Sequence, residues 1–109
     1  MKVEKKGHTT ILRDTVEPIA DFCAKVTREH GQFVAQNLII DLTPIEVDLA
    51  AVKLFSPLAK AHQKGKKSFV IVVKAIDFNA VPAHLHVVPS LQEAHDIIEM
   101  EEIERDLGF

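Results

Sequence analysis

Two acidic side chains, Asp41 and Asp48, flank a short turn that follows an apolar stretch of the chain. A pair of carboxylates at one edge of a sheet could act as general acid and general base. Each acid also has a structural interpretation, because an acid that ends a strand or precedes a helix commonly accepts hydrogen bonds from backbone amides. We favour the structural interpretation for both residues and predict that Asp48 caps a helix.

His84 and His86 form a second group that could do chemistry. They lie two positions apart, so on a strand their side chains would point to the same side. Zinc needs at least three good ligands, and no cysteine or carboxylate stands at a matching spacing beside this pair. His84 and His86 are therefore the candidates for a metal site. We favour the interpretation that they are solvated histidines at a strand end, and we predict no cofactor.

Other catalytic and phosphate-binding motifs are missing from the sequence. It contains only four glycines and one cysteine, with no glycine-rich phosphate loop and no Gly-x-Ser-x-Gly elbow. Cys23 falls on the apolar stripe of a predicted helix, which favours a core role over a reactive one. The sequence therefore offers little independent evidence for an enzyme.

The charge distribution bears on the partners of the protein. The formal net charge is −3, and seven acids face a single arginine between positions 93 and 106. Nucleic-acid binding usually needs a clustered basic face, so we predict no nucleic-acid partner. The first residues lack the apolar core of a signal peptide, and no apolar run approaches the ~18 residues of a membrane span. We expect a cytoplasmic protein without a membrane partner.

Periodicity and turn residues predict the elements that must position these side chains. Predicted strands cover 2–6, 8–12, 38–42, 68–73 and 85–88, and predicted helices cover 18–30, 48–64 and 90–105. Gly7 should turn the first two strands into a hairpin, and Pro57 should kink or break the second helix. Ser90 should cap the last helix, and 77–82 is predicted to form a turn or a single helical turn.

This order predicts a single α/β domain over residues 1–109. An N-terminal antiparallel hairpin would join βαβ units in one mixed sheet with packed helices and right-handed crossovers. The run 69–73 is apolar at every position, so both of its faces need cover. A helix, the hairpin or another chain could cover the second face, and the helix 18–30 could do so alone.

Five features carry a resemblance to a known family: the leading hairpin, the strand 38–43, the helix after it, the strand 69–73 and the ending Leu85 to Ile98. Together they resemble the STAS domain, the fold of anti-sigma-factor antagonists. The resemblance covers essentially the whole chain and implies a STAS-like fold. In that family an Asp-Leu-Ser turn precedes an Asp-Ser-Ser-Gly-Leu motif, whose second hydroxyl is phosphorylated by a partner kinase. Here Asp48 matches the acid of the motif, but Leu49 or Ala50 fills the hydroxyl position, and the glycine is missing. The resemblance thus implies a binding module without the usual phospho-switch.

We therefore predict a non-enzymatic module that binds a protein partner, such as a regulatory or anti-sigma-like protein. The carboxyl end of a strand in an open α/β sheet is where ligands are usually met. The predicted contact residues are Thr43, Asp48, Leu49, Ala50, Val52, Asp77 and Asn79. The alternatives are a small metal-binding or carboxylate-dependent enzyme that uses the same edge, and a structural subunit or homodimer that uses an open face of the sheet.

The acidic end of the chain is a further candidate for docking. Negative charge late in a helix opposes the helix dipole and lowers the stability of the helix. A basic partner, or Lys53, Lys60 and Lys64 of the same fold, would offset this loss of stability. An apolar component accompanies the acids: Met100, Ile103, Leu107 and Phe109.

Overall fold

A computed structural model describes residues 1–14 and 18–108. The strands are β1 (Lys2–Lys6), β2 (Thr9–Arg13), β3 (Asn37–Asp41), β4 (Phe69–Val72) and β5 (His86–Val88). The helices are α1 (Ile19–Glu29), α2 (Leu49–Lys53), α3 (Ser56–Lys64) and α4 (Leu91–Asp106). Short 3-10 turns occupy His30–Gln32 and Phe78–Ala80. The predicted α/β class and element order are confirmed, and most of the predicted boundaries differ from these by only one or two residues.

The five strands form one mixed sheet in the order β1-β2-β3-β4-β5. β1 pairs antiparallel with β2, and each of the remaining neighbours pairs in parallel. Gly7 turns the hairpin with a φ of 61°, a left-handed conformation that glycine adopts without a Cβ clash. The predicted hairpin and parallel units are both confirmed.

The larger part of the core lies on the face of the sheet that α1, α2 and α3 cover. Leu12, Ile40 and Ile71 come from three neighbouring strands and are fully buried there. Phe22 of α1 and Phe55, between α2 and α3, meet edge to face with ring centroids 6.1 Å apart. Aromatic pairs prefer this geometry, and the contact packs α1 against the junction of α2 and α3.

The opposite face of the sheet is covered by α4. Ile39 and Val70 pack there with Ala94 and Ile98. The prediction that α1 could cover this face is therefore wrong. Right-handed crossovers between strands in sequential order place α1, α2 and α3 on one face, whereas no strand follows α4, so it is free to pack on the other. α4 contacts β3, β4 and β5 on this face, whereas every residue of β1 is exposed.

Local sequence signals set the helix boundaries. α2 ends at Lys53 and α3 begins at Ser56, so the predicted break beside Pro57 is confirmed, and the proline occupies the first turn of α3, where it costs no hydrogen bond. Ser90 Oγ accepts a hydrogen bond from the amide of Glu93 at 3.2 Å and caps α4 as predicted. Within the described residues, no helix is long and apolar enough to cross a membrane.

Candidate functional site

A cleft of about 430 Å³ opens where β3 and β4 end, and we call it the carboxyl-end cleft. The loop after β3 and the residues after β4 line it: Thr43, Pro44, Ile45, Glu46, Val47, Val73, Lys74 and Ala75. The two loops meet because parallel neighbours finish at the same edge of a sheet. This is the edge at which the sequence predicted a partner site.

Asp41 is buried at this edge, and both of its carboxylate oxygens are engaged. Oδ2 accepts hydrogen bonds from Nε and Nη2 of Arg13 at 3.0 and 2.9 Å. Oδ1 accepts from the amide and the hydroxyl of Thr43 at 3.0 and 2.7 Å. A carboxylate held by four donors is fixed in position, so Asp41 shapes the turn. Thr43 is correspondingly a residue of this turn.

Asp48 serves α2 as predicted. Its Oδ1 accepts a hydrogen bond from the amide of Ala51 at 2.9 Å, with the extended backbone typical of a helix cap. The side chain is exposed. The two acids that could have formed a catalytic pair are therefore each engaged in a separate structural contact.

The other predicted contact residues differ in their access to solvent. Ala50 is exposed on the first turn of α2, and Leu49 is half-buried. Val52 is fully buried in the core, so it has no surface to offer a partner and is removed from the contact set. Asp77 and Asn79 are exposed on the turn beyond Ala75, where Asp77 Oδ1 accepts from the amide of Asn79 at 3.1 Å.

His84 and His86 lie at the other end of the sheet, in a cleft of about 570 Å³ that we call the amino-end cleft. Its remaining lining residues are Gln63, Lys66, Lys67, Glu101, Arg105 and Gly108. The two histidines share this cleft as their spacing predicted, although only His86 belongs to a strand. Nε2 of His84 is hydrogen-bonded to the hydroxyl of Ser56, and Nε2 of His86 lies 3.7 Å from a carboxylate oxygen of Glu101.

Metal ligation has little support from the described part of the chain. Across residues 1–14 and 18–108, no group of three or more His, Cys, Asp or Glu side chains is arranged to hold a metal ion. His84 and His86 bring one neighbouring carboxylate, that of Glu101, and His84 is already bound to Ser56. The metal-binding alternative therefore rests on the sequence spacing alone.

Cys23 has the core position that the sequence predicted. It is buried in α1, and its Sγ donates a hydrogen bond to the carbonyl oxygen of Leu54 at 3.4 Å. Burial raises the pKa of the thiol, which disfavours the nucleophilic thiolate.

The sequence did not indicate that two distant histidines meet, buried His62 of α3 and half-buried His30 of the 3-10 turn after α1. Nε2 of His30 and Nδ1 of His62 are 2.8 Å apart, and Nε2 of His62 lies 2.7 Å from the carbonyl oxygen of Gln36. Burial lowers the pKa of His62 to about 4, and the neighbouring His30 charge acts in the same direction against the Gln36 hydrogen bond. No local spacing could have indicated this pair, because its members are far apart in the chain.

No protein-family model matches the chain, and a search of curated proteins finds no match to it either. The STAS resemblance accordingly stays a prediction from the sequence.

Proposed function

We propose that this protein is a non-enzymatic, STAS-like binding module that meets a partner protein at its carboxyl-end cleft. The proposed contact residues are Thr43, Asp48, Leu49, Ala50, Asp77 and Asn79. One observation carries the proposal: both acids at this edge are engaged in structural hydrogen bonds, while the surrounding loops are exposed. This arrangement favours recognition by shape and surface over acid–base chemistry.

The chemistry of the edge indicates the kind of partner surface that would fit. Ile45 and Val47 are half-buried beside the cleft, and Phe78 follows on the neighbouring turn with 38% of its surface exposed. Exposed acids at Glu46 and Asp48 accompany these apolar groups. Protein interfaces commonly combine an apolar centre with a polar rim, so we expect a partner that offers apolar side chains within a basic or polar border.

The proposal includes constitutive binding, without the phospho-switch of the family it resembles. Leu49 and Ala50 carry no hydroxyl, and the Thr43 hydroxyl donates to the carboxylate of Asp41. A phosphate on Thr43 would add negative charge directly beside that carboxylate. We further propose a cytoplasmic location and a regulatory partner, such as an anti-sigma-like protein.

The test is affinity purification of the tagged protein from its native cells, followed by quantitative mass spectrometry and binding measurements with the purified partner. Ala50→Arg and Asn79→Arg place a long cation on the proposed edge at exposed positions. Both variants should lower the affinity for the same partner at least about tenfold. Circular dichroism should show that both remain folded.

Ala35→Arg is the matched control. Ala35 is also exposed, but it lies just before β3 begins, at the opposite end of the sheet. This variant should bind the partner as wild type does. Equal binding by all four proteins, or the absence of any partner that binds saturably when purified, would contradict the proposed function.

A further inference from the structure

Apolar residues occupy two opposite sides of α4. Ala94 and Ile98 are buried against the sheet. On the outer side Met100, Ile103 and Leu107 are 61%, 53% and 66% exposed. Their spacing of three and four residues places them in one row along the helix, and we call this row the outer stripe. Phe109, the fourth apolar residue of this end of the chain, lies outside the described residues.

The acids that border the outer stripe are not neutralised by the fold. Glu101 and Glu102 approach His86 and His8 at 3.7 and 3.4 Å. In contrast, Glu99, Glu104 and Asp106 are exposed, and no cation within residues 1–14 and 18–108 pairs with them. The outer stripe thus has an unpaired acidic border.

The lysines that could have offset this charge within the same fold lie on the opposite face of the sheet. Lys53, Lys60 and Lys64 belong to α2 and α3, which pack on the opposite face of the sheet from α4. The alternative that these lysines offset the charge is therefore wrong, because the helices lie on two faces of the sheet, and the alternative of a basic partner stays open.

Arg105, the one basic residue in the last turn of α4, is turned inward. Its Nη1 donates to Ser68 Oγ at 3.2 Å and its Nη2 to Asn37 Oδ1 at 3.3 Å. It is hydrogen-bonded to neutral oxygens near the start of β3 and β4, so it is drawn away from the acidic border. Negative side chains near a helix C-terminus oppose the dipole and lower the stability of the isolated fold.

We propose that the outer stripe of α4 is a second docking site, and that its occupant is a basic amphipathic helix of a partner protein. The three apolar side chains match the row of anchors that a helix presents at positions i, i+3 and i+7. Lysines or arginines beside those anchors would pair with Glu99, Glu104 and Asp106. Pairing of two copies through α4 would instead place these acidic borders against each other, which is unfavourable.

A synthetic peptide provides the direct test. The probe is a helical peptide of about 16 residues, the length of α4, with leucines in one row and lysines on both sides. It should bind with a dissociation constant below about 100 µM at low ionic strength and more weakly as salt is added. The matched peptide with glutamates in place of the lysines should not bind. NMR chemical-shift changes should fall on Met100, Ile103 and Leu107.

Ile103→Lys should weaken binding of the lysine peptide at least about tenfold, because it adds a cation to the centre of the outer stripe. Val34→Lys is the matched control, since Val34 is an equally exposed aliphatic residue, at 53%, that lies outside α4. The edge variant Ala50→Arg should also leave peptide binding unchanged, so that failure of this proposal and failure of the proposed function can be told apart.

Three results would overturn the proposal. The first is equal affinity for the lysine and glutamate peptides, and the second is an affinity that Ile103→Lys does not reduce. The third is a wild-type dimer, measured by sedimentation, that Ile103→Lys converts to monomer, because the occupant would then be a second copy of this chain.

Discussion

Nε2 of His30 lies 2.8 Å from Nδ1 of His62, so two distant histidines share a single part-buried hydrogen bond. Because Nε2 of His62 donates to the carbonyl oxygen of Gln36, its Nδ1 must accept, and His30 must be the donor. Protonation of His62 would place a second N–H against that donor. This donor–acceptor arrangement holds while His62 is neutral, and protonation of His62 would keep a hydrogen bond only if His30 moved its proton from Nε2 to Nδ1.

The free energy of unfolding should fall as the pH is lowered from about 6.5 to about 4. The pKa of His62 is about 4 in the folded chain, against 6.5 for an ordinary histidine, so in this interval the unfolded chain binds more protons than the folded one. Neutral His62 should make its full contribution to the free energy of unfolding above pH ~6.5. By pH ~4 the free energy of unfolding should have fallen by about 3 kcal/mol through this residue. Urea unfolding at a series of pH values measures this loss.

His62→Phe should flatten this part of the pH profile. Phenylalanine keeps an aromatic contact with Phe69, whose ring centroid lies 6.0 Å from that of His62, and removes the titrating group. His8→Gln is the control, because the side chain of His8 is 83% exposed, and it should retain the wild-type slope. An unchanged slope in His62→Phe would assign the acid sensitivity to other groups.

Asp41→Asn should lower the free energy of unfolding by about 3 kcal/mol, as expected when one partner of a buried ion pair is lost. The side chain of Asp41 is 4% exposed, and the amide group of an asparagine would face the Arg13 donors. Glu4→Gln also removes an acid beside Arg13, but Glu4 is 57% exposed and 3.7 Å away, so its cost should stay below about 0.5 kcal/mol. Denaturant unfolding compares the two, and equal costs would contradict a structural role specific to Asp41.

Ile98→Ala should cost about 3 kcal/mol, because it opens a cavity beneath α4 on the second face of the sheet. Met100→Ala on the same helix should change stability by less than about 0.5 kcal/mol, since Met100 is exposed. Thermal and urea unfolding of both variants give the comparison. If Ile98→Ala proved as mild as Met100→Ala, α4 would not be the cover of that face.

The sequence by itself determined the elements and their ends. Gly7, Pro57 and Ser90 mark a turn, a helix break and a helix start through interactions within a few residues of the chain, which depend on local spacing alone. The apolar run of β4 likewise indicated a strand covered on both faces, and both faces are covered. The cap at Asp48 belongs to the same class of local prediction.

Only the tertiary structure decided which distant groups meet. The parallel register of β2 and β3 places Arg13 opposite Asp41, 28 positions away. The resulting ion pair holds a carboxylate for which the sequence also allowed a catalytic role. Packing likewise buried Val52 and put α4, rather than α1, on the second face. Such contacts depend on strand register and on the face each helix occupies, which local spacing does not encode.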